Sequence, residues 1–490
     1  MLQLTSQDLS RIKADTLIIP VCEDRGLYRF PSLADWVRKA QAVSTFSAAP
    51  EEILDFYQPE GLTIERIVFI GLGPSDDLSA EGLRQAAGSA IRGAWRDRPG
   101  NAVLAVPDIN LPEALTPVQV FTAAAEGACL ANHTLAVYKT KKKKRPLKAI
   151  RLLVEAGHTR ALRHVVKRVE LTCRGTAMAR DWVNLPANDK PPRDLAAMIT
   201  READQAGVTT KLMDARQLKR LRMGALLAVG SGSRNPPQML ILDHKPPKSR
   251  QTVVLVGKGV TFDAGGLNLK PTGAIEMMKI DMAGAAAVAA AVITAARRGL
   301  TKRIVGVLPL VENMVSGTAF RPGDIVRSYS GQTIEIGNTD AEGRLILADA
   351  LAYAVKRFRP DGIIDLATLT GACVVALGER IAGLFSPDAS LREHIIASSR
   401  DTHERCWTMP LPDDYQELLK SDLADMRNIG PSRWGGAIVA ALFLSRFVGD
   451  TPWAHIDIAG PAHTKKANAY SEAGGTGFGV RLLCDLLERL

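Results

Sequence analysis

The sequence predicts an α/β protein of two domains: a smaller N-terminal α/β domain, and a larger C-terminal domain whose mixed sheet is flanked by helices. Three observations carry that prediction. At 490 residues the chain exceeds what one compact core serves. Short β-rich runs alternate with helical segments, as layered α/β folds require. Between two such alternations runs an amphipathic stretch with no proline and only Gly175 as a break.

In chain order, "DTLIIPV" from Asp15, "RIVFIGLG" from Arg66, "AVLAVPD" from Ala102 and "AIRLLVEA" from Ala149 read as strands. Helical segments such as "SAEGLRQAAGSAIRGAW" from Ser79 separate them, which makes residues 1–157 the first domain. Residues 158–184 form a connecting helix that ends at "NLPANDKPP". Residues 185–490 form the second domain. Its strands "TVVLVG", "RIVGVLPL", "GIIDLATL" and "AHIDIAG" alternate with helices such as "AGAAAVAAAVITAARRG" and "RLILADALAYAVKRF".

With 46% hydrophobic and 23% charged residues the composition is that of an ordinary globular enzyme. No uninterrupted apolar run reaches the roughly 18 residues of a membrane span, so no membrane role is expected. The N-terminus lacks a basic start followed by a long apolar region, and a cytoplasmic location is expected. The six cysteines form no CxxC pair, against both a disulfide framework and a thiolate metal site. The formal net charge of +10 is partly local: "KTKKKKRPLK", Lys139 to Lys148, holds no acid. Without interleaved aromatics it reads as a solvated loop sooner than as a nucleic-acid patch, and nucleic-acid binding is the alternative partner reading.

Two glycine-rich turns fail as phosphate cradles. "GLGPSD" from Gly71 has Asp76 where a third glycine would stand, and "GKG" at Gly257 to Gly259 lacks the following GK[ST] pattern. The stretch after the second turn is more informative. Lys258, Asp263, Lys270 and Asp281 rise from an uncharged background, with Asp263 between Phe262 and Ala-Gly-Gly and Asp281 between Ile280 and Met282. Carboxylates in such surroundings are costly unless paired or bound to metal. In "IGNTDAEGRLILADAL", Asp340, Glu342 and Arg344 fall at every second position. Read as an extended segment after the strand "TIEIG", they project to one side at the ligand-binding end of a sheet. Taken alone, an N-cap role for Asp340 or Thr339 with Glu342 in the first helical turn explains them as well. Beside the Lys/Asp cluster, three aspartates and a glutamate suit two divalent cations better, and no HExxH pair is present.

These stretches, "NTDAEGRL" and "VGKGVTFDAGG…KP…MMKIDMAGAA", resemble the cytosol (leucyl) aminopeptidase family of dinuclear metallopeptidases. "RDWVNLPANDKPP", "DLATLTGACVVALG", "SDLADMRNIGPSRWGGAIVAALFLSRFV" and "AHIDIAGPA…GGTGFGV" resemble it in the same order, covering Ala179 to Val480. The resemblance implies one metal site of Lys258, Asp263, Asp281 and Glu342, and another of Asp263, Asp340 and Glu342. It makes 185–490 the catalytic metallopeptidase domain. The implied reaction is hydrolysis of the N-terminal peptide bond by a metal-bridging water, with Lys270 polarising the scissile carbonyl. Arg344 would anchor a bicarbonate that moves the proton, since a guanidinium does not act as a base. Cofactors are therefore two divalent ions, Zn or Mn before Co or Mg, and bicarbonate. Met278, Thr368 and Gly371 would line a pocket for bulky apolar first residues such as Leu, although core packing explains Met278 nearly as well. A homohexamer acting on peptides is implied too. Ala264 and Ala283 stand where the family often has Ser and Cys, and a Pro-Ser pair is inserted before Trp434. Retention of all seven polar positions argues against an inactive structural homologue.

Overall fold

The computed structural model describes residues 2–96, 100–135, 138–140 and 145–490, so Lys141–Lys144 of the basic run lie outside the described residues. The chain divides into two compact units. One comprises Met1–Arg174 with Lys466–Ala473, the other Gly175–Lys465 with Gly474–Leu490.

The first unit contains β1 (Leu2–Thr5), β2 (Ala14–Val21), α1 (Pro31–Gln41), β3 (Ile53–Tyr57), β4 (Ile64–Gly71), α2 (Ala80–Gly93), β5 (Asn101–Ala105), α3 (Pro117–Ala131) and β6 (Ala149–Leu153). Its sheet runs β1-β6-β5-β2-β4-β3, parallel except at the β3 edge. From Thr16 to Val21 every residue of β2 is buried, as a strand covered on both faces must be. Helix starts follow capping chemistry. The Ser79 side chain accepts from Gly82 N, and Thr116 and Gln119 form a reciprocal capping box. Ser75, in the "GLGPSD" turn, is tied to Asp24 through both its N–H and its hydroxyl. Helix α4 (Thr159–Asn184) follows, and the division between units falls within it.

The second unit continues with α5 (Pro192–Gln205), β7 (Thr209–Met213), α6 (Ala215–Arg220), α7 (Gly224–Val229), β8 (Gln238–His244), β9 (Thr252–Gly257), β10 (Gly259–Asp263), α8 (Thr272–Ile275), α9 (Ala283–Arg298) and β11 (Arg303–Asn313). After β12 (Ile325–Arg327) and β13 (Thr333–Glu335) come α10 (Gly343–Phe358), β14 (Gly362–Ala367), α11 (Gly371–Leu377), β15 (Ala382–Phe385), α12 (Ala389–Thr402) and β16 (Cys406–Thr408). The chain closes with β17 (Met426–Arg427), α13 (Gly436–Ser445), β18 (Trp453–Asp457), β19 (His463–Thr464), β20 (Gly474–Gly475) and α14 (Val480–Arg489). The large sheet is ordered β16-β15-β18-β14-β9-β11-β8-β7, with β10 paired to β11. Its centre, β18-β14-β9-β11, is parallel, while β8 and β15 join antiparallel, so the sheet is mixed.

Alternation along β9 explains why both faces are covered. Val253 and Leu255 enter a core with α5, α9 and α14, whereas Val254 and Val256 enter another with α7, α10 and α13. Every residue of α9 from Ala283 to Ala295 is buried. The segment Thr272–Arg298 is apolar and long enough to cross a membrane by composition, but 83% of its apolar window is buried inside the unit, as in a core helix. Small residues let this helix approach closely: a Cβ on Gly284 would stand 2.1 Å from Leu366 O.

One local expectation is corrected. "TIEIG" does not lead to an extended Asp340–Arg344 segment in the large sheet. β13 belongs to a separate sheet with β12 and β17, Asp340 lies in a turn, and Arg344 is already helical.

Candidate metal centre

The centre forms where the parallel strands β9, β11 and β14 reach their carboxyl ends, the usual ligand position of an open α/β sheet. Lys258 occupies the step between β9 and β10. Its N–H donates to Leu366 O at 3.0 Å, and its carbonyl accepts from Ala285 N at 2.8 Å. These bonds fix its backbone between β14 and the start of α9. A Cβ on Gly343 would lie 2.5 Å from Lys258 Cε, so only glycine leaves room for the lysine stem there. Asp263 ends β10, and Asp281 closes a short 3-10 turn just before α9. Asp340 and Glu342 precede α10.

Two ammonium groups hold four carboxylates together. Lys258 Nζ lies 2.8 Å from Asp281 and 2.9 Å from Glu342 Oε1, and donates to Thr368 O at 2.9 Å. Lys270 Nζ lies 2.9 Å from Asp263 Oδ2 and 2.5 Å from Asp340 Oδ1. Ligand atoms of Asp263, Asp340 and Glu342 all fall within 4.8 Å of one another. Lys258, Asp263, Asp281 and Glu342 are each 4% exposed or less. Glu342 Oε2 is buried and accepts no hydrogen bond from the described residues.

The electrostatics register this crowding. Burial, with Asp263 and Asp281 nearby, raises the Glu342 carboxyl to about 8 despite Lys258 and Lys270. Burial and Asp263 raise Asp281 to about 6, against the pull of Lys258. Asp340 is raised by burial and by Asp263. Burial would lower both lysines, yet carboxylates around Lys258 and Lys270 outweigh it and hold both ammonium groups above the ordinary lysine value. Four carboxylates, three of them buried, against two ammonium groups leave a surplus of negative charge, which hard divalent cations would neutralise. The donor set therefore fits metal.

The N-cap alternative does not describe these residues. Glu342 occupies the N-cap position of α10 without a capping hydrogen bond, Asp340 faces Lys270, and the Thr339 hydroxyl donates to Gly265 O. Arg344 Nη1 donates to Asn428 O at 2.8 Å, while its buried Nε has no hydrogen-bond partner among the described residues. Burial lowers its guanidinium to about 10, with Glu342 and Asp457 opposing, so it stays charged near neutrality. Of the three pocket candidates, Thr368 donates from Oγ1 to Asp281 Oδ1 at 2.6 Å. The Met278 carbonyl accepts from Asp281 N, and Gly371 opens α11 with free space where a Cβ would project. Ala264 and Ala283 are buried beside Asp263 and Asp281.

Residues that sequence patterns do not single out complete the arrangement. Asn313, ending β11, donates from Nδ2 to Asp263 Oδ1 at 2.8 Å and to Thr339 O at 3.1 Å. Asp457 accepts from Leu369 N and Thr370 Oγ1, which secures the loop bearing Thr368.

Comparison with known proteins gives the family. The catalytic domain of the cytosol aminopeptidase family matches residues 177–484, and the family's N-terminal domain matches residues 31–142. A protein of Chlorobium phaeobacteroides named "Probable cytosol aminopeptidase" is 42% identical, with 99% of both chains covered. One of the same name from a Geobacter species is 44% identical, covering 87% of this chain and 86% of its own. A solved structure described as "Bottromycin maturation enzyme BotP in complex with Mn" is similar with a TM-score of 0.86 and 36% identity, covering 97% of this chain and 99% of that one. The family model over residues 177–484, and relatives alike along nearly the whole chain, place this protein, with its largely buried carboxylate cluster, in the cytosol aminopeptidase family of metal-dependent hydrolases.

Proposed function

We propose that Lys258, Asp263, Asp281 and Glu342 hold one divalent cation, and Asp263, Asp340 and Glu342 a second, with Zn²⁺ or Mn²⁺ the leading candidates. On this reading the enzyme hydrolyses the N-terminal bond of peptides, preferring bulky apolar first residues such as Leu. The observation that carries it is the largely buried surplus of carboxylates, three of whose ligand atoms gather within 4.8 Å. Cations bound there would supply Lewis acidity to the scissile carbonyl and an acidified water as nucleophile.

The chain's own groups then have definite tasks. Lys258 ligates as the neutral amine, the form that nearby dications favour. Lys270 keeps its proton and donates from Nζ to the substrate oxygen as negative charge develops there. Arg344 remains charged and does not accept the proton. Its Nε is available to hold an anion, proposed to be bicarbonate, which supplies a proton acceptor. Met278, Thr368 and Gly371 are proposed to face the first side chain. Family membership supports the further reading of a cytoplasmic homohexamer, whose assembly light scattering of the purified chain tests directly.

The deciding experiment is hydrolysis of leucine p-nitroanilide after chelation, with Zn²⁺, Mn²⁺, Co²⁺ and Mg²⁺ returned separately to wild type and Glu342→Ala. Metal-restored turnover in wild type alone is expected. Activity indifferent to chelation would remove the dinuclear reading, and equal turnover of Leu, Lys and Asp substrates would remove the apolar preference.

A further inference from the structure

The loop from Ala264 to Lys270 carries the proposed oxyanion donor but has little apolar anchorage of its own. Leu267, Asn268 and Leu269 are exposed, and the loop begins with two glycines in the left-handed region, Gly265 at φ 87° and Gly266 at φ 64°. A loop with an exposed tip and few apolar contacts does not by itself hold a side chain to the tolerance that catalysis needs. Closure comes from backbone and from a clasp. Lys270 N donates to Ala264 O at 3.0 Å. The Thr339 hydroxyl, fully buried, donates to Gly265 O at 2.7 Å and accepts from Asn268 N at 2.9 Å. In return Thr339 N donates to Asn268 Oδ1 at 2.9 Å. The apposition is tight: a Cβ on Gly265 would stand 2.9 Å from Asp340 Oδ1, and one on Gly266 would stand 3.0 Å from Thr339 Oγ1.

We propose that Thr339, together with Asn268, is a positioning residue that fixes the Ala264–Lys270 loop and so aims Lys270 Nζ at the reacting carbonyl. The proposal rests on the reading of Lys270 as oxyanion donor. Thr339 is the hub, because one side chain and its own N–H make three of the contacts that join the loop to the segment carrying Asp340 and Glu342. Asn268 completes the exchange from the loop's exposed side.

The test measures kcat, KM and bound metal for Thr339→Val, Thr339→Ser, Asn268→Ala, Lys270→Ala and the Thr339→Val/Lys270→Ala double variant. Thr339→Val is expected to lower kcat on the order of 10- to 100-fold, as loss of an orienting partner does, with KM and metal content unchanged. Thr339→Ser, which keeps the hydroxyl, is expected to restore most of it. The double variant is expected to be no slower than Lys270→Ala, because a residue acting only through Lys270 has nothing left to position. Effects that multiply in the double variant overturn the proposal, as does metal loss in Thr339→Val, which would assign the clasp to Asp340. Asn268→Ala, at an exposed position, keeps the question answerable if Thr339→Val does not fold: wild-type kcat there overturns the proposal. Full kcat in Lys270→Ala would overturn the oxyanion reading itself and the positioning role with it.

Discussion

Lys270 differs from Lys258 in its surroundings. Lys258 is enclosed by Asp281, Glu342 and the Thr368 carbonyl, whereas Lys270 is 15% exposed in its side chain and bridges Asp263 and Asp340 from the loop side. Replacing Lys270 by Ala is therefore expected to lower kcat by roughly 10²- to 10³-fold, the loss typical of an oxyanion donor, with bound metal unchanged. Metal analysis of the purified variant decides it, since depletion would give Lys270 a structural task. Lys190 makes a different prediction. Fully buried, it donates to Trp182 O and Val183 O at the end of α4, and burial, with Lys279 nearby, lowers its amine to about 7 from 10.5. Between those values the unfolded chain binds a proton that the folded chain does not, so wild-type stability should rise with pH relative to Lys190→Met. Urea unfolding of both at pH 7 and pH 9 measures this, and a difference independent of pH would sink it. Such groups differ in how readable they are. Lys258, Asp263 and Asp281 are conspicuous as charges amid apolar or small residues, whereas Asn313 at a strand end and Thr339 and Asn268 in loops are ordinary polar residues whose importance comes only from what folding brings beside them.

At the scale of elements, the centre depends on how closely α9 lies on the ends of β9 and β14. Gly284 faces Leu366 O, and a Cβ on Gly257 would lie 2.6 Å from Ala285 Cα. Gly284→Ala normally favours a helix by up to about 1 kcal/mol. Here the added methyl meets backbone, which cannot rotate away, and overpacking of this kind costs about 1–3 kcal/mol or more. Net destabilisation is expected in urea unfolding, and an unchanged or raised midpoint would show that α9 shifts freely. Runs such as "TVVLVG" and "GIIDLATL" were legible as strands because both faces are buried and the apolar stretch is unbroken. "TIEIG" was not legible in the same way. Its alternation is that of any short strand, and nothing in it says that Gly337 and Asn338 turn the chain, on hydrogen bonds from both their N–H groups to Asn428 Oδ1, before α10 begins. Asp340, Glu342 and Arg344 therefore converge through a turn and a helix start, not through the pleat of one strand.

For the whole molecule, the division into two units gives metal binding an unequal reach. The first unit has its own core between Leu2 and Cys173, and all the proposed ligands belong to the second. A ligand that binds only the folded state stabilises it by about 2.7 kcal/mol at a hundred times its dissociation constant. Here the expected gain has an additional source, because cations would relieve repulsion among Asp263, Asp281, Asp340 and Glu342, of which all but Asp340 are buried. Calorimetry of the full chain, chelated and then titrated with Mn²⁺ or Zn²⁺, is expected to show a transition that climbs with metal and another that does not. In Glu342→Ala the climbing transition should lose most of its metal response, while the stationary one keeps its wild-type midpoint. If both transitions climb together, the two units unfold as one cooperative block. If neither moves although activity depends on metal, the cations contribute chemistry without stabilising the fold, and relief of carboxylate repulsion is not what drives their binding.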